Sequence, residues 1–267
     1  MSKKIALIGC GWLGLPLAKS LIEKKYIING STTSPDKLNL LMTAEINAYL
    51  LELTEEKIKG NINDFLTDVE IVIINVPPKL RGNKKENYVK KMQLLHQAIA
   101  THSVQKVIFI SSTAVYGTIE GDVTEETEPN PSTESGIQIL SAENLFKNNK
   151  QIQTTILRFG GLIGGDRHPI NMLSGRSDLS NGNHPINLIH RKDCIRIIEA
   201  IIEKNWWNEL FNGVYPKHPK KKDYYISQAI KNNLQPPDYK EDNKNKGKIV
   251  HSNRLIFVKK HLFTTTI

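Results

Sequence analysis

Three glycines near the start of the chain carry its clearest chemical signal. In "GCGWLG", Gly9, Gly11 and Gly14 stand at G-x-G-x-x-G spacing. The first glycine of such a set permits a tight turn, and the second lets main chain approach a diphosphate. The third lets helix and strand pack closely. The turn opens a helix, so the backbone N–H groups around Trp12 and Leu13 can join in holding phosphate oxygens. The spacing alone is weak, and it becomes informative because an apolar run precedes it and a helical pattern follows.

Further polar groups recur at places where apolar runs end. "GSTTSPDK" at 30–37 holds Thr32, Thr33 and Ser34, with no acid before Asp36. An NAD-preferring site places a carboxylate there for the ribose hydroxyls. Three hydroxyls with Lys37 nearby suit a 2′-phosphate instead, so NADP is preferred over NAD, with Asp36 folding back to the ribose as the alternative. "SSTAVYG" at 111–117 follows the apolar "KVIFI" and gathers two serines, a threonine, a tyrosine and a glycine. His168 and His190 titrate near neutrality and could serve as acid or base. Arg167 could clamp an anionic substrate through paired hydrogen bonds, and His190 could join it there. Arg81, in a basic loop after "NVPP", could cover a cofactor.

The elements that must position these groups follow from patterning. "KIALIG", "YIINGST", "VEIVIINVPP", "KVIFISS" and "TTILRFGGLIG" read as strands. Residues 13–25 and 87–102 read as helices, as do 193–204, with Asp193 as N-cap. Apolar strands alternating with helices mean an α/β fold with a doubly wound parallel sheet covered on both faces. The expected division is a dinucleotide-binding domain over 1–160 and a smaller substrate-binding lobe over 161–267. Residues from about 186 to 204 return to the first domain.

Bulk properties narrow the classes. The chain has 267 residues, 39% of them hydrophobic, and a formal charge of +9. Basic residues are spread along it, so neither nucleic acid nor a membrane is an expected partner. The densest cluster, "PKHPKKKDYY" at 216–225, reads as a solvated lysine-rich surface. Two cysteines, Cys10 and Cys194, make neither a disulfide framework nor a metal-ligand spacing. The apolar run at 5–18 mimics a secretory signal but is too short to span a bilayer. The expected setting is the cytoplasm, with a small-molecule substrate and a monomer or homodimer.

Taken in order, "GCGWLG", "NVPP", "SSTAVYG", "LRFGGLIGGDRHP" and "NLIHRKDC" resemble the short-chain dehydrogenase/reductase superfamily. The likeness is to its extended, NAD-dependent epimerase/dehydratase branch. The resemblance covers most of the chain. It implies a Rossmann-type domain that binds a dinucleotide and a C-terminal lobe that binds substrate, often a nucleotide sugar. It makes Asn75, Val76 and Pro77 the cofactor-lining loop, adds Ser111 and Gly160 to the cofactor contacts, and gives Ser112 the catalytic hydroxyl. Tyr116 is not the family's catalytic tyrosine.

The resemblance breaks at the acid/base pair. The family uses Tyr-x-x-x-Lys, in which lysine lowers the tyrosine pKa and holds the nicotinamide ribose. Matching "SAEN" to that helix puts Ser135 at the tyrosine position and Ile139 at the lysine position. No Tyr-x-x-x-Lys occurs anywhere in the chain. A local relay through Glu134 and Ser135, or a histidine such as His168, would have to move the proton. Two functions follow: an NAD(P)-dependent oxidoreductase or epimerase/dehydratase with a replacement acid/base, or a dinucleotide-binding redox sensor without turnover.

Overall fold

The fold is described from a computed structural model, which describes residues 3–78, 86–241 and 246–267. Arg81 therefore lies outside the described residues. The strands are β1 (Lys4–Ile8), β2 (Ile27–Thr32), β3 (Asn47–Leu50), β4 (Glu52–Leu53), β5 (Ile58–Lys59), β6 (Ile71–Ile74), β7 (Lys106–Ser112), β8 (Gly121–Val123), β9 (Gln153–Phe159), β10 (Gly161–Ile163), β11 (Leu188–His190), β12 (Leu210–Gly213) and β13 (Lys248–Val250). The α-helices are α1 (Gly14–Glu23), α2 (Leu38–Thr43), α3 (Ile62–Leu66), α4 (Tyr88–Ala100), α5 (Glu134–Lys147), α6 (Ile170–Leu173), α7 (Arg191–Glu203) and α8 (Lys221–Lys231).

The central sheet has seven strands in the order β12-β9-β7-β6-β1-β2-β3. The ladders β1·β2, β1·β6, β2·β3 and β6·β7 are parallel, with Ile5 opposite both Ile28 and Ile71. The chain builds outward from β1 in one direction through β2 and β3. It then returns to β1's other side with β6 and continues through β7. The order therefore reverses between β1 and β6, and in open α/β sheets the crevice beyond the strand ends at such a point receives ligands. Residues 5–7, 71–74 and 107–109 are almost fully buried, as continuous apolar runs must be when helices cover both faces.

The chain divides into two compact units. Unit 1 comprises Met1–Ser112, Thr133–Leu157 and Ile195–Leu210, and unit 2 comprises Thr113–Ser132, Arg158–Cys194 and Phe211–Ile267. In unit 1, α1 buries Gly14, Leu17, Ala18 and Leu21, the i, i+3, i+4, i+7 stripe of an amphipathic helix. Helix α4 is capped by the Asn87 side chain, which accepts from the Lys90 N–H. The Thr133 hydroxyl does the same for α5 through Gly136. In unit 2 an apolar cluster forms around Ile163, Ile170, Ile186, Tyr224 and Ala229, and β10·β11 and β13·β8 are short parallel pairs.

Asp193 does not cap α7 as the sequence suggests. The helix starts at Arg191 and Asp193 lies in its first turn, fully buried. Its carboxylate is engaged elsewhere, accepting the backbone N–H groups of Thr264 and Thr265 at 3.1 Å each. No helix among the described residues is long and apolar enough to cross a membrane.

Candidate functional site

The glycine turn sits at the end of β1, beside β6. Gly9 has φ +97°, a left-handed conformation that L side chains rarely adopt, and a Cβ there would lie 2.5 Å from the Asn75 carbonyl oxygen. A Cβ on Gly14 would lie 2.2 Å from the Gly9 carbonyl oxygen. Gly11 is the opposite case: an added Cβ would meet nothing within 4 Å. Two glycines are thus demanded by protein packing, and the third leaves open space of the kind a diphosphate would occupy. Leu13, at the N-cap of α1, makes no side-chain capping bond, which leaves this helix start suited to an anion. The residues present fit a dinucleotide.

Neighbouring strands lock this turn in place. The Ser31 hydroxyl of β2 accepts the Gly9 N–H at 3.0 Å, and the Ser31 carbonyl accepts the Cys10 N–H at 2.8 Å. The Asn75 side chain donates to the Gly9 carbonyl at 3.0 Å. The loop that carries Asn75 and Val76 is held in turn by Tyr88 of α4, whose hydroxyl donates to the Val76 carbonyl at 3.0 Å. Gln138 of α5 accepts the Tyr88 backbone N–H at 2.6 Å. Burial drives the Tyr88 hydroxyl's pKa upward, so it stays protonated as a donor. Pro77 is exposed and Trp12 half-buried, whereas Leu13 is buried. Burial pushes the Cys10 thiol up to about 12, which removes it as a nucleophile at neutral pH.

At the end of β2, Thr32 is buried and its hydroxyl accepts the Ser34 N–H at 3.2 Å. Thr33 is exposed and Ser34 half-buried, while Asp36 and Lys37 are exposed in a single 3-10 turn. Two hydroxyls and one lysine are thus presented beyond the strand, with Thr32 partly committed to the turn.

Strand β7 ends in Ser111 and Ser112. Ser111 is buried and its hydroxyl donates to the carboxylate of Glu143, which is itself buried on α5. A carboxylate on the apolar stripe of a helix is costly unless it is hydrogen-bonded. Ser111 supplies such a bond and joins the strand end to the helix. Ser112 is only partly buried. On α5, Ser135 is partly exposed in the first turn, whereas Ile139 is 6% exposed and belongs to the core.

The remaining candidates lie in unit 2. A Cβ on Gly160 would lie 2.5 Å from the Asn187 carbonyl oxygen, so this glycine serves close chain packing. Arg167 is exposed at a two-residue loop in which its backbone exchanges hydrogen bonds with Gly164. His168 has both ring nitrogens engaged: Nδ1 accepts the Ile170 N–H at 3.2 Å, which leaves Nε2–H to donate to the Tyr224 hydroxyl at 2.9 Å. Burial lowers its pKa. His190 Nδ1 accepts the Lys192 N–H at 3.1 Å, and its ring packs against Gly164. Tyr116 is fully buried, with its hydroxyl on Asn212 at 2.9 Å and the Arg158 guanidinium 4.9 Å from its ring centroid.

Structure thus brings together in unit 1 the three glycines and Asn75, and in unit 2 places Gly160, Arg167, His168 and His190. Sequence reasoning missed Ser31, Tyr88 and Glu143. Each acts through a partner at least 12 positions away, so no local motif reveals it. The one available signal was Glu143 itself, an acid on an otherwise apolar helix face.

Comparison with known proteins agrees with this geometry. The Escherichia coli (strain K12) protein YeeZ is 33% identical over 255 residues, covering 95% of this chain and 93% of its own. The Bacillus subtilis (strain 168) uncharacterized UDP-glucose epimerase YtcB is 25% identical over 230 residues, 75% of this chain and 73% of its own. Among solved structures, the Bacillus cereus UDP-glucuronic acid 4-epimerase in complex with UDP-glucuronic acid and NAD shares the fold. It superposes with a TM-score of 0.79 at 20% identity, covering 98% of this chain and 95% of that one. Residues 5–212 match the NAD dependent epimerase/dehydratase family, and the chain belongs to that family.

Proposed function

We propose that the protein is an NAD(P)-dependent enzyme of the epimerase/dehydratase or oxidoreductase type, acting on a small polar, sugar-derived substrate. The observation that carries this reading is the glycine turn: Gly9 and Gly14 are crowded by protein, while Gly11 faces open space. Gly9, Gly11, Trp12, Leu13 and Gly14 would hold the diphosphate through backbone amides, and Asn75, Val76 and Pro77 would line the dinucleotide. A bound nicotinamide supplies a site that gives or takes hydride.

The chain's own task is then to orient the substrate and move a proton. Ser112 is suited to orient a carbonyl or hydroxyl by hydrogen bonding. Ser135 is a far weaker acid than a lysine-assisted tyrosine, and Ile139 offers neither charge nor ribose contact. His168 could accept a proton only by giving up its bond from Ile170. Arg167 and His190 are the candidate substrate contacts. The hydroxyls at 32–34 with Lys37 favour NADP, while the B. cereus neighbour was solved with NAD. A second reading, a dinucleotide sensor without turnover, is favoured by Ile139 being a core residue.

The test starts with fluorescence titration by NADH and NADPH, followed by single-turnover assays of the loaded protein with a panel of UDP-sugars. Saturable binding of either dinucleotide supports the site, and its absence removes it. Tighter NADPH binding supports the 2′-phosphate reading; tighter NADH binding overturns it. A change in cofactor absorbance or conversion of any sugar supports the enzyme, and an unchanged cofactor and sugar across the panel favours the sensor.

A further inference from the structure

Helix α5 is tied to the site at two points other than Ser135 and Ile139. Strands β6 and β7 are paired in parallel with Ile74 opposite Phe109, so the loop at 75–77 starts beside the last residues of β7. Two side chains of α5 reach these two segments. Gln138 accepts the Tyr88 backbone N–H at 2.6 Å, and the Tyr88 hydroxyl donates to the Val76 carbonyl at 3.0 Å. Glu143 accepts the Ser111 hydroxyl. All of these residues lie in unit 1.

Each tie has a specific physical basis. Tyr88 opens α4, and the first N–H groups of a helix have no partner within it. Asn87 serves Lys90, and Gln138 serves Tyr88. The Gln138 amide is oriented for this: its Nε2 donates to Glu134 at 2.7 Å, one turn earlier on α5, which leaves Oε1 for Tyr88. Tyr88 is almost fully buried, so its ring carries the position of the α4 start to the loop. Glu143 is buried as well, and a carboxylate withdrawn from water costs more than an apolar residue would at the same place. What it holds is the strand end that carries Ser112. Ile139, between Gln138 and Glu143, is a core residue.

We propose that Gln138 and Glu143 are positioning residues for the dinucleotide: Gln138 sets the loop at 75–77 through Tyr88, and Glu143 sets the end of β7 through Ser111. Helix α5 is then a brace for two adjoining walls of the site. A wall already in place binds more tightly, because less ordering remains to be done when the ligand arrives. This role rests on the reading of the glycine turn as a dinucleotide site.

Fluorescence titration of the full chain with NADH and NADPH tests it, with the tighter of the two used for every variant. Gln138→Leu keeps the bulk of the side chain, removes the acceptor and weakens binding about fivefold or more. Tyr88→Phe removes the donor to Val76 and weakens binding to a similar degree. Because Gln138 acts through Tyr88, the double variant binds no more than about twofold worse than the weaker single variant. Glu143→Leu weakens binding about fivefold or more, and Glu143→Gln, which still offers Ser111 an acceptor, recovers most of that loss. Thr155→Val is the control for general destabilisation. It removes a buried bond from the β9 hydroxyl to the Trp206 carbonyl at 2.8 Å, so it lowers the melting temperature but changes affinity by less than about twofold. Gln138 is only half-buried, so its variant reports even where Glu143→Leu does not fold. Parent-like affinity in folded Gln138→Leu, additive losses for Gln138→Leu and Tyr88→Phe, or an equal loss in Thr155→Val overturns the positioning role while the glycine turn's role stands. A parent that binds neither dinucleotide removes both.

Discussion

Gly11 and Gly14 stand three residues apart in one turn, yet they answer to different constraints. At Gly14 a methyl group would have to share space with the Gly9 carbonyl oxygen, 2.2 Å away. Gly14→Ala should therefore cost stability, about 1–3 kcal/mol as overpacking does elsewhere, visible as a lower denaturation midpoint. At Gly11 the same methyl meets nothing within 4 Å. Gly11→Ala should leave the melting temperature within about 2 °C of the parent while weakening dinucleotide binding by roughly tenfold or more, because the methyl occupies the approach of the diphosphate. Unchanged dinucleotide affinity in a folded Gly11→Ala protein would show that the phosphates lie elsewhere. Ser111 and Glu143 add a related point at this scale. Their bond is buried and links β7 to α5, so it acts through the shape of the strand end that carries Ser112.

At the scale of elements, the buried Asp193 couples the start of α7 to the C-terminal segment. Its two carboxylate oxygens accept one N–H each, from Thr264 and Thr265. Asp193→Asn removes the charge and one of the two acceptors. The variant should lose about 1.5–3 kcal/mol, the usual worth of hydrogen bonds to a charged group. Its Thr264 and Thr265 amides should exchange hydrogen faster by native-state exchange, and parent-like protection there would refute the clamp. The sequence misplaces Asp193 because an acid two residues into a helix looks the same as an N-cap when the partner is some 70 positions away. Other elements were legible. The run "KVIFISS" coincides with β7, residue for residue, because a strand buried on both faces is written as an uninterrupted apolar run. The stretch from 38 to 66 was not, since α2, β3, β4, β5 and α3 have two to six residues each, too short for any periodicity to register. The glycine turn was readable because its constraint is local. The tie between Ser111 and Glu143 was not, because its partners stand 32 positions apart.

For the whole molecule, buried histidines make stability depend on pH. His96, His168 and His218 all have pKa values pulled below 6.5 by burial, which disfavours the imidazolium. The hydrogen bonds agree with a neutral ring: His168 Nδ1 accepts an N–H, and His218 Nε2 is buried with no partner among the described residues. In the unfolded chain each ring titrates near its ordinary value. As pH falls through that value towards the lowered one, the unfolded chain takes up protons that the folded chain refuses. The stability these groups contribute is fully present above about 6.5 and is lost on acidification, by up to about 1.4 kcal/mol per pH unit for each proton. Glu125 works in the opposite sense. Burial raises its pKa, so the folded chain binds that proton first and gains stability as pH falls. The three histidines act as pH falls through about 6.5, so the melting temperature should fall between pH 7.5 and 5.5. His168→Gln should start lower at pH 7.5, having lost the bond to Tyr224, but should fall less steeply. Glu125→Gln removes the opposing proton and should lose more stability than the parent as the pH is taken on down through the carboxylate range. A His168→Gln curve parallel to the parent's would mean that His168 is not held neutral in the fold, and the pH sensitivity would then have to come from His96 and His218.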